Sequence, residues 1–178
     1  MATVLDLEYL TQLDEVMGWA EDAARYVSRV IIIPKVSGVI GELPRRIGNA
    51  EVVLGYSVPT SYGGTALGLW EFGGWPVHLL GGSPHAQLRL AHYLHVVSAD
   101  GNMTQKMAVR NCAFWVNGTA RRCGNSYWPQ LRETAEGNLG KDAIYAAFRR
   151  SCENIIDAWR KHGGHRAGEV AGGLQAGA

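Results

Sequence analysis

Short, unbroken apolar runs that stop at residues able to do chemistry constrain this chain more than any other feature. Val77-His-Leu-Leu-Gly-Gly-Ser-Pro84 is one, and Val96-Val-Ser-Ala-Asp-Gly-Asn102 is the next. A strand buried on both faces reads as a continuous Val/Leu/Ile run, the mark of a parallel sheet. The carboxyl ends of such strands are where α/β proteins set their sites. One end here offers bare backbone at Gly81 and Gly82. The next offers a carboxylate, Asp100, and an amide, Asn102.

Strands and helices alternate along the chain. Thr3 to Leu7 reads as a strand and Gln12 to Tyr26 as a helix, with Leu13, Val16, Met17, Ala20, Ala24 and Val27 near one face. Val30-Ile-Ile-Ile33 is β-branched throughout and stops at Pro34, which predicts a buried strand. Pro44 to Ile47 reads as a helical turn, Glu51 to Val58 as a third strand, and Thr60 to Trp75 as a loop. Val77 to Leu80 is a fourth strand. A helix follows over 84–93, capped by Ser83. Val96 to Ser98 is a fifth strand, and Thr104 to Trp115 a helix. Lys141 to His162 reads as a long amphipathic helix, apolar at Ile144, Ala147, Phe148, Cys152, Ile155, Ile156 and Trp159. Residues 163–178 are rich in Gly and Ala and read as a flexible tail after a single domain over 1–162. This order predicts an α/β fold with parallel strands and right-handed crossovers. A doubly wound sheet and part of a (βα)8 barrel both fit. A complete barrel takes about 250 residues, so with about five strands this would be a partial barrel, or one completed by a partner.

Composition narrows the class. With 178 residues, 47% apolar and 19% charged, a folded single domain is expected. A formal net charge of +1 gives no global drive toward nucleic acid, though Arg110, Arg121, Arg122, Arg149 and Arg150 can build a local basic face. No run reaches the ~18 apolar residues of a membrane span, and the opening Thr3-Val-Leu-Asp6, with no basic n-region before it, leads to the expectation of a chain without a leader. Cys112, Cys123 and Cys152 are an odd count without Cys-x-x-Cys spacing, which predicts a reduced, cytoplasmic protein.

Asp100 leads the chemistry-bearing residues. A carboxylate there can act as nucleophile, base or metal ligand, or simply cap the helix after it. Gly81-Gly82-Ser83-Pro84 lets a planar ligand or a phosphate approach the backbone, or is a tight βα turn. Lys35 follows the second strand and projects at its carboxyl end, unless it is a solvated surface lysine. Asp6 and Glu8 end the first strand; paired with Asp100, Asp6 would give two carboxylates across one pocket. Tyr56, Tyr62, Trp70, Phe72 and Trp75 can stack on a purine-like base or pack as core and lid. His78, His85, His92 and His95 match no zinc pattern and read as structural or surface residues.

Val77-His-Leu-Leu-Gly-Gly-Ser-Pro84 resembles the strand of tRNA-guanine transglycosylases that reads Tyr-Leu-Met-Gly-Val-Gly-x-Pro. In that family a helix and then a strand with a nucleophilic aspartate follow, and 84–93 and Ser98-Ala-Asp100 stand in the same order. Val53-Leu-Gly-Tyr-Ser57 resembles its glycine-bearing, base-contacting strand, and Gly38-Val-Ile-Gly-Glu42 its Gly-x-x-x-Gly-Glu element. Leu54-Gly-Tyr-Ser-Val-Pro-Thr60, His78-Leu-Leu-Gly-Gly-Ser-Pro84 and Ser98-Ala-Asp-Gly-Asn102 are most similar to short phage-type relatives linked to 7-deazaguanine modification of DNA. The resemblance covers about residues 3–120. It implies a (βα)8-type (TIM barrel) fold and a glycosyltransferase reaction in which guanine in nucleic acid, DNA ahead of tRNA, is exchanged for a 7-deazaguanine. Asp100 would be the nucleophile, with Asp6 as the second carboxylate. Lys35, Gly55, Tyr56, Ser57, Gly81, Gly82, Ser83 and Asn102 would border the substrate. The work would be done in the cytoplasm, that of the host if the chain is phage-encoded. The family's Cys-x-Cys-x-x-Cys plus His zinc site is absent, so no cofactor or metal is implied. Its N-terminal strands and its Pro-Thr-Arg-x-x-Arg-x-Gly run are absent too.

Two other readings compete. A non-catalytic base- or nucleic-acid-binding subunit would complete a partner's site in a homo- or hetero-oligomer. An unrelated α/β protein would bind a phosphorylated small molecule at Ser83 and the helix after it.

Overall fold

The computed structural model describes residues 1–117 and 141–173, with 163–173 as backbone. They divide into two compact units, one over Met1–Gly101 and one from Asn102 onward, where the sequence reads as one domain to residue 162.

The first unit is built on a sheet. Its strands are β1 (Ala2–Leu7), β2 (Arg29–Pro34), β3 (Arg46–Ile47), β4 (Ala50–Ser57), β5 (Pro76–Leu80) and β6 (His95–Ala99), with helices α1 (Leu13–Ala24) and α2 (Pro84–Leu90) between them. The order is β1-β2-β4-β5-β6, and every pair along it is parallel. Sequence order and spatial order coincide. The sheet is therefore singly wound, as consecutive strands of a (βα)8 barrel are, and lacks the reversal of a doubly wound sheet. Among the described residues it does not close on itself.

β-branched runs set the interior. Val30, Ile32, Val52, Leu54, Val77 and Leu79 alternate onto one face and are wholly buried. On the other face Ile31, Ile33 and Val53 cluster with Leu80 and Val97. Helix α1 packs on β1 and β2 through Val16 and Ala20, both buried. Acidic Asp14 and Glu15 in its first turn suit the helix dipole.

The turn expected over Pro44–Ile47 is instead strand β3. Gly48, at φ 56°, and Asn49 form the tight turn of a hairpin that pairs Ile47 with Ala50 and Arg46 with Glu51. Neither the β2–β4 nor the β4–β5 connection holds an α-helix; short 3-10 turns at Val39–Glu42 and Leu69–Phe72 stand there.

The second unit holds α3 (Met103–Asn111) and α4 (Lys141–Gly173). α3 stops four residues before the expected Trp115 because Cys112 turns left-handed, at φ 47°. α4 buries Ala143, Ala147, Ser151 and Ala158, while Tyr145 and Ile156 are exposed. The inward stripe is thus the small-residue one, rotated from the bulky stripe the apolar pattern marks. Ser151 Oγ accepts from Trp115 N at 2.9 Å and donates to Ala147 O, and Asn154 donates to Trp115 O at 2.7 Å. Two side chains of the helix so hold the peptides on either side of wholly buried Trp115. The backbone stays helical through Gly173, past the expected end at His162. The glycines are interspersed with good helix formers such as Ala and Arg. Residues 174–178 of the expected tail lie outside the described residues. No helix among the described residues is long and apolar enough to cross a membrane.

The sheet interior predicts one stability effect. A Cβ on Gly55 would lie 2.6 Å from Ile33 Cγ1 and 2.8 Å from Leu80 Cδ1. Gly55→Ala is expected to lower stability by about 1–3 kcal/mol through overpacking, read as a lower urea midpoint at unchanged slope.

Candidate active site at the carboxyl edge of the sheet

Parallel pairing brings the carboxyl ends of β1, β2, β4, β5 and β6 to one edge of the sheet. Asp100 leaves β6 there. Its backbone N–H donates to Leu79 O at 2.9 Å, continuing the ladder one residue past the strand. Its side chain turns back over β5, where Oδ1 accepts from Gly81 N at 2.9 Å. Oδ2 lies 3.5 Å from His78 Nε2. The carboxylate is anchored, yet its side chain remains 60% exposed.

The turn after β5 makes this anchoring possible. Gly81 and Gly82 sit at φ 69° and 76°, where side chains are strained. A Cβ on Gly82 would also come 2.6 Å from Val58 Cγ1. Ser83 caps α2 by accepting from Ala86 N at 3.2 Å, with Pro84 at the first helical position. Gln87, on the buried side of α2, donates to Gly81 O at 2.8 Å and to Asp100 O at 2.5 Å. One amide nitrogen ties the two strand ends together.

Below this lies a polar row inside the sheet. In register, Gly55 of β4 is opposite His78 of β5, and His78 is opposite Ser98 of β6. Residues so paired point to one face, and Asp100 continues that face two residues on. His78 is 8% exposed, and its Nδ1 lies 2.7 Å from Ser98 Oγ. Ser98, His78 and Asp100 form a continuous line from the sheet interior to its edge.

The other expected site residues fall out differently. Asp6 meets Lys35 at 3.5 Å across β1 and β2, and Lys35 N donates to Leu7 O. β1 and β6 are the two ends of the strand order, and Met1 Sδ, at the head of β1, lies 3.5 Å from Ser98 Oγ on β6. Asp6 has Lys35 as its partner, and Asp100 has Gly81 and His78. The space over Gly55 is filled by Ile33, Leu80 and Ile31, so this glycine serves packing. Tyr56 faces the opposite side of the sheet, 5% exposed, with its ring edge-on to Phe72 at 5.0 Å. Burial raises its phenol above the ordinary tyrosine value. Ser57 follows it, its carbonyl accepting from Thr65 N at 2.9 Å. Asn102 belongs to the second unit, where it precedes α3 without a side-chain capping bond.

Trp70 and Tyr62 are exposed, whereas Phe72 and Trp75 are core, and Arg45 stacks on the Trp75 ring at 3.6 Å. Of the proposed basic face, Arg149 pairs with Glu153 and Arg150 lies over Phe114; Arg110 is exposed. Arg121 and Arg122 lie outside the described residues, as does Cys123. Among the described residues no three His, Cys, Asp or Glu side chains stand together as a metal site.

Sequence reasoning passed over His78, Ser98 and Gln87. The signal was present for His78: a polar residue inside a buried strand demands a buried partner. Gln87 gives a weaker one, as the second buried position of a helix opened by Gly-Gly-Ser-Pro.

The profile of one protein family matches residues 1–160 of the chain. The chain belongs to DUF6610. That family is described as one of unknown function. No curated protein and no solved structure matches the chain.

Two outcomes follow from this geometry. Gln87→Leu removes the donor to both strand-end carbonyls and is expected to cost about 1–2 kcal/mol, seen in chemical denaturation. The raised Tyr56 phenol means that the folded state holds this proton more tightly than the unfolded chain. Its stabilising contribution is complete below about pH 10 and falls away above it. Tyr56→Phe should flatten that alkaline loss when urea midpoints at about pH 9 and about pH 11 are compared.

Proposed function

We propose that this protein is a guanine-transglycosylase-like pentosyltransferase that exchanges guanine in nucleic acid, DNA ahead of tRNA, for a 7-deazaguanine base. The observation that carries this reading is the state of Asp100. A capping aspartate would turn its oxygens to the helix that follows it. Asp100 instead reaches back to the neighbouring strand end, with Oδ1 on Gly81 N and Oδ2 3.5 Å from His78 Nε2. A carboxylate oriented by its neighbours yet 60% exposed is what a nucleophile needs. The singly wound parallel order is also that of a barrel sector, the fold class in which sites lie at strand carboxyl ends.

In this mechanism Asp100 Oδ2 attacks C1′ of the guanosine. The C1′–N9 bond breaks, its electron pair leaves with guanine, and guanine takes up a proton. The 7-deazaguanine gives up its N9 proton, attacks the same carbon and displaces the carboxylate. Two inversions at C1′ give net retention. The backbone at Gly81 and Gly82 admits a flat heterocycle where a side chain would obstruct it. Asp6, 3.5 Å from Lys35, would be the second carboxylate of this site. We further place the work in the cytoplasm, that of a host cell if the chain is phage-encoded.

The experiment is release of labelled guanine from DNA and from tRNA by the full chain in the presence of 7-cyano-7-deazaguanine. Asp100→Asn is expected to lower exchange by about 10³-fold or more, because the amide is not a nucleophile. Equal exchange by both proteins removes Asp100 from the role. Tight binding of 7-cyano-7-deazaguanine without exchange supports instead a base-delivering subunit whose site a partner completes.

A further inference from the structure

We infer that His78 is a positioning residue for Asp100, with its Nε2–H held toward Oδ2 and its ring tautomer fixed by Ser98. The inference deepens the nucleophilic reading of Asp100 and, for its kinetic part, rests on it.

The argument is one of donors and acceptors. An ionised carboxylate only accepts hydrogen bonds. Asp100 Oδ2 is the acceptor nearest His78 Nε2, at 3.5 Å, longer than a formed hydrogen bond, and a proton on Nε2 of a neutral ring is the arrangement that lets the two close on each other. Nδ1 is then a lone pair, and the group 2.7 Å from it is the hydroxyl of Ser98. A hydroxyl can rotate to donate to that lone pair. Met1 Sδ, 3.5 Å from the same hydroxyl, is the weaker acceptor. Ser98 therefore fixes at one nitrogen which proton the other presents, as the partner of a functional imidazole commonly does.

Placement makes this more than a surface contact. His78 stands in the middle of β5, flanked in sequence by wholly buried Val77 and Leu79, and is itself 8% exposed. An apolar residue would pack there with no need of a partner. Register puts Ser98 directly across from it, and the strand repeat puts Asp100 on the same face. Gly81 N fixes Oδ1, and His78 approaches Oδ2. Together they define the plane of the carboxylate from two directions. The longer of the two contacts shortens when substrate excludes water, as catalytic hydrogen bonds commonly do. A nucleophile fixed at one oxygen alone can swing about that bond, and misplacement of about 1 Å costs about 10²-fold in rate. The same donor stabilises the carboxylate when it is displaced in the second half of the exchange.

The test has a structural and a kinetic arm. In the full chain labelled with 15N-histidine, at about pH 8.5 and so above the ordinary imidazole range, two-bond 1H–15N spectra should show His78 as the Nε2–H tautomer. Asp100→Ala and Ser98→Ala should each shift it toward a mixture. The Nδ1–H tautomer in the wild-type protein overturns the inference. In the exchange assay, His78→Leu should lower kcat by about 10²-fold with KM nearly unchanged. His78→Gln, whose amide can reach the place of Nε2–H, should recover about tenfold of that loss. Equal kcat for His78→Leu and wild type overturns the inference. If the wild-type protein exchanges nothing yet shows the Asp100-dependent Nε2–H tautomer, the guanine reading fails and the positioning of Asp100 stands.

Discussion

Parallel pairing is the constraint on which the rest of this molecule depends. An antiparallel sheet would scatter strand ends over two edges. Here five strands run the same way, so Lys35, Ser57, Gly81 and Asp100 all emerge at one edge. The cost of such a sheet is long connections, because a parallel partner cannot be reached by a tight turn. The Val/Ile/Leu runs offset that cost: residues on both faces of β2, β4 and β5 are buried. The site and the core are thus two results of one pattern, since each run that fills the interior also delivers its last residue to the edge.

The strands were legible in the sequence because this pattern is local. Val30-Ile-Ile-Ile33 and Val52-Val-Leu54 admit few alternatives, and Pro34 and Pro59 punctuate them. Asp100, Gly81, Gly82 and the Ser83 cap were legible for the same reason. The rest failed where a long-range partner decides. Arg46 and Ile47, expected in a helical turn, became a strand because the Gly48-Asn49 turn folds Ile47 onto Ala50. The inward face of α4 was only partly legible, because the apolar pattern favours bulky residues: Ala147 lies on it as expected, but so do Ala143 and Ala158, while Phe148 and Ile156 of the expected stripe are exposed. Gly55 looked like a window for a ligand, and only the packing of Ile33 and Leu80 reveals a filled space.

His78 is the clearest case. Within its own strand it is one polar residue in an apolar run, and nothing local separates a structural imidazole from a functional one. Its meaning comes from Ser98, twenty residues on, and from Asp100 beyond it. Asp6 shows the converse. It has the residue type and the strand-end position that a second carboxylate would need. Yet what it meets, Lys35 at the end of the neighbouring strand, is set by the pairing of β1 with β2 and not by its own run.

Gln87 has one more effect, on motion. Its single amide nitrogen grips the carbonyl that ends β5 and the carbonyl of Asp100, so helix α2 and both strand ends cannot shift independently. A tilt of α2 of a fraction of an ångström would drag the carboxylate with it. The helix and the two strand ends are in this sense one mechanical unit, joined through a single side chain.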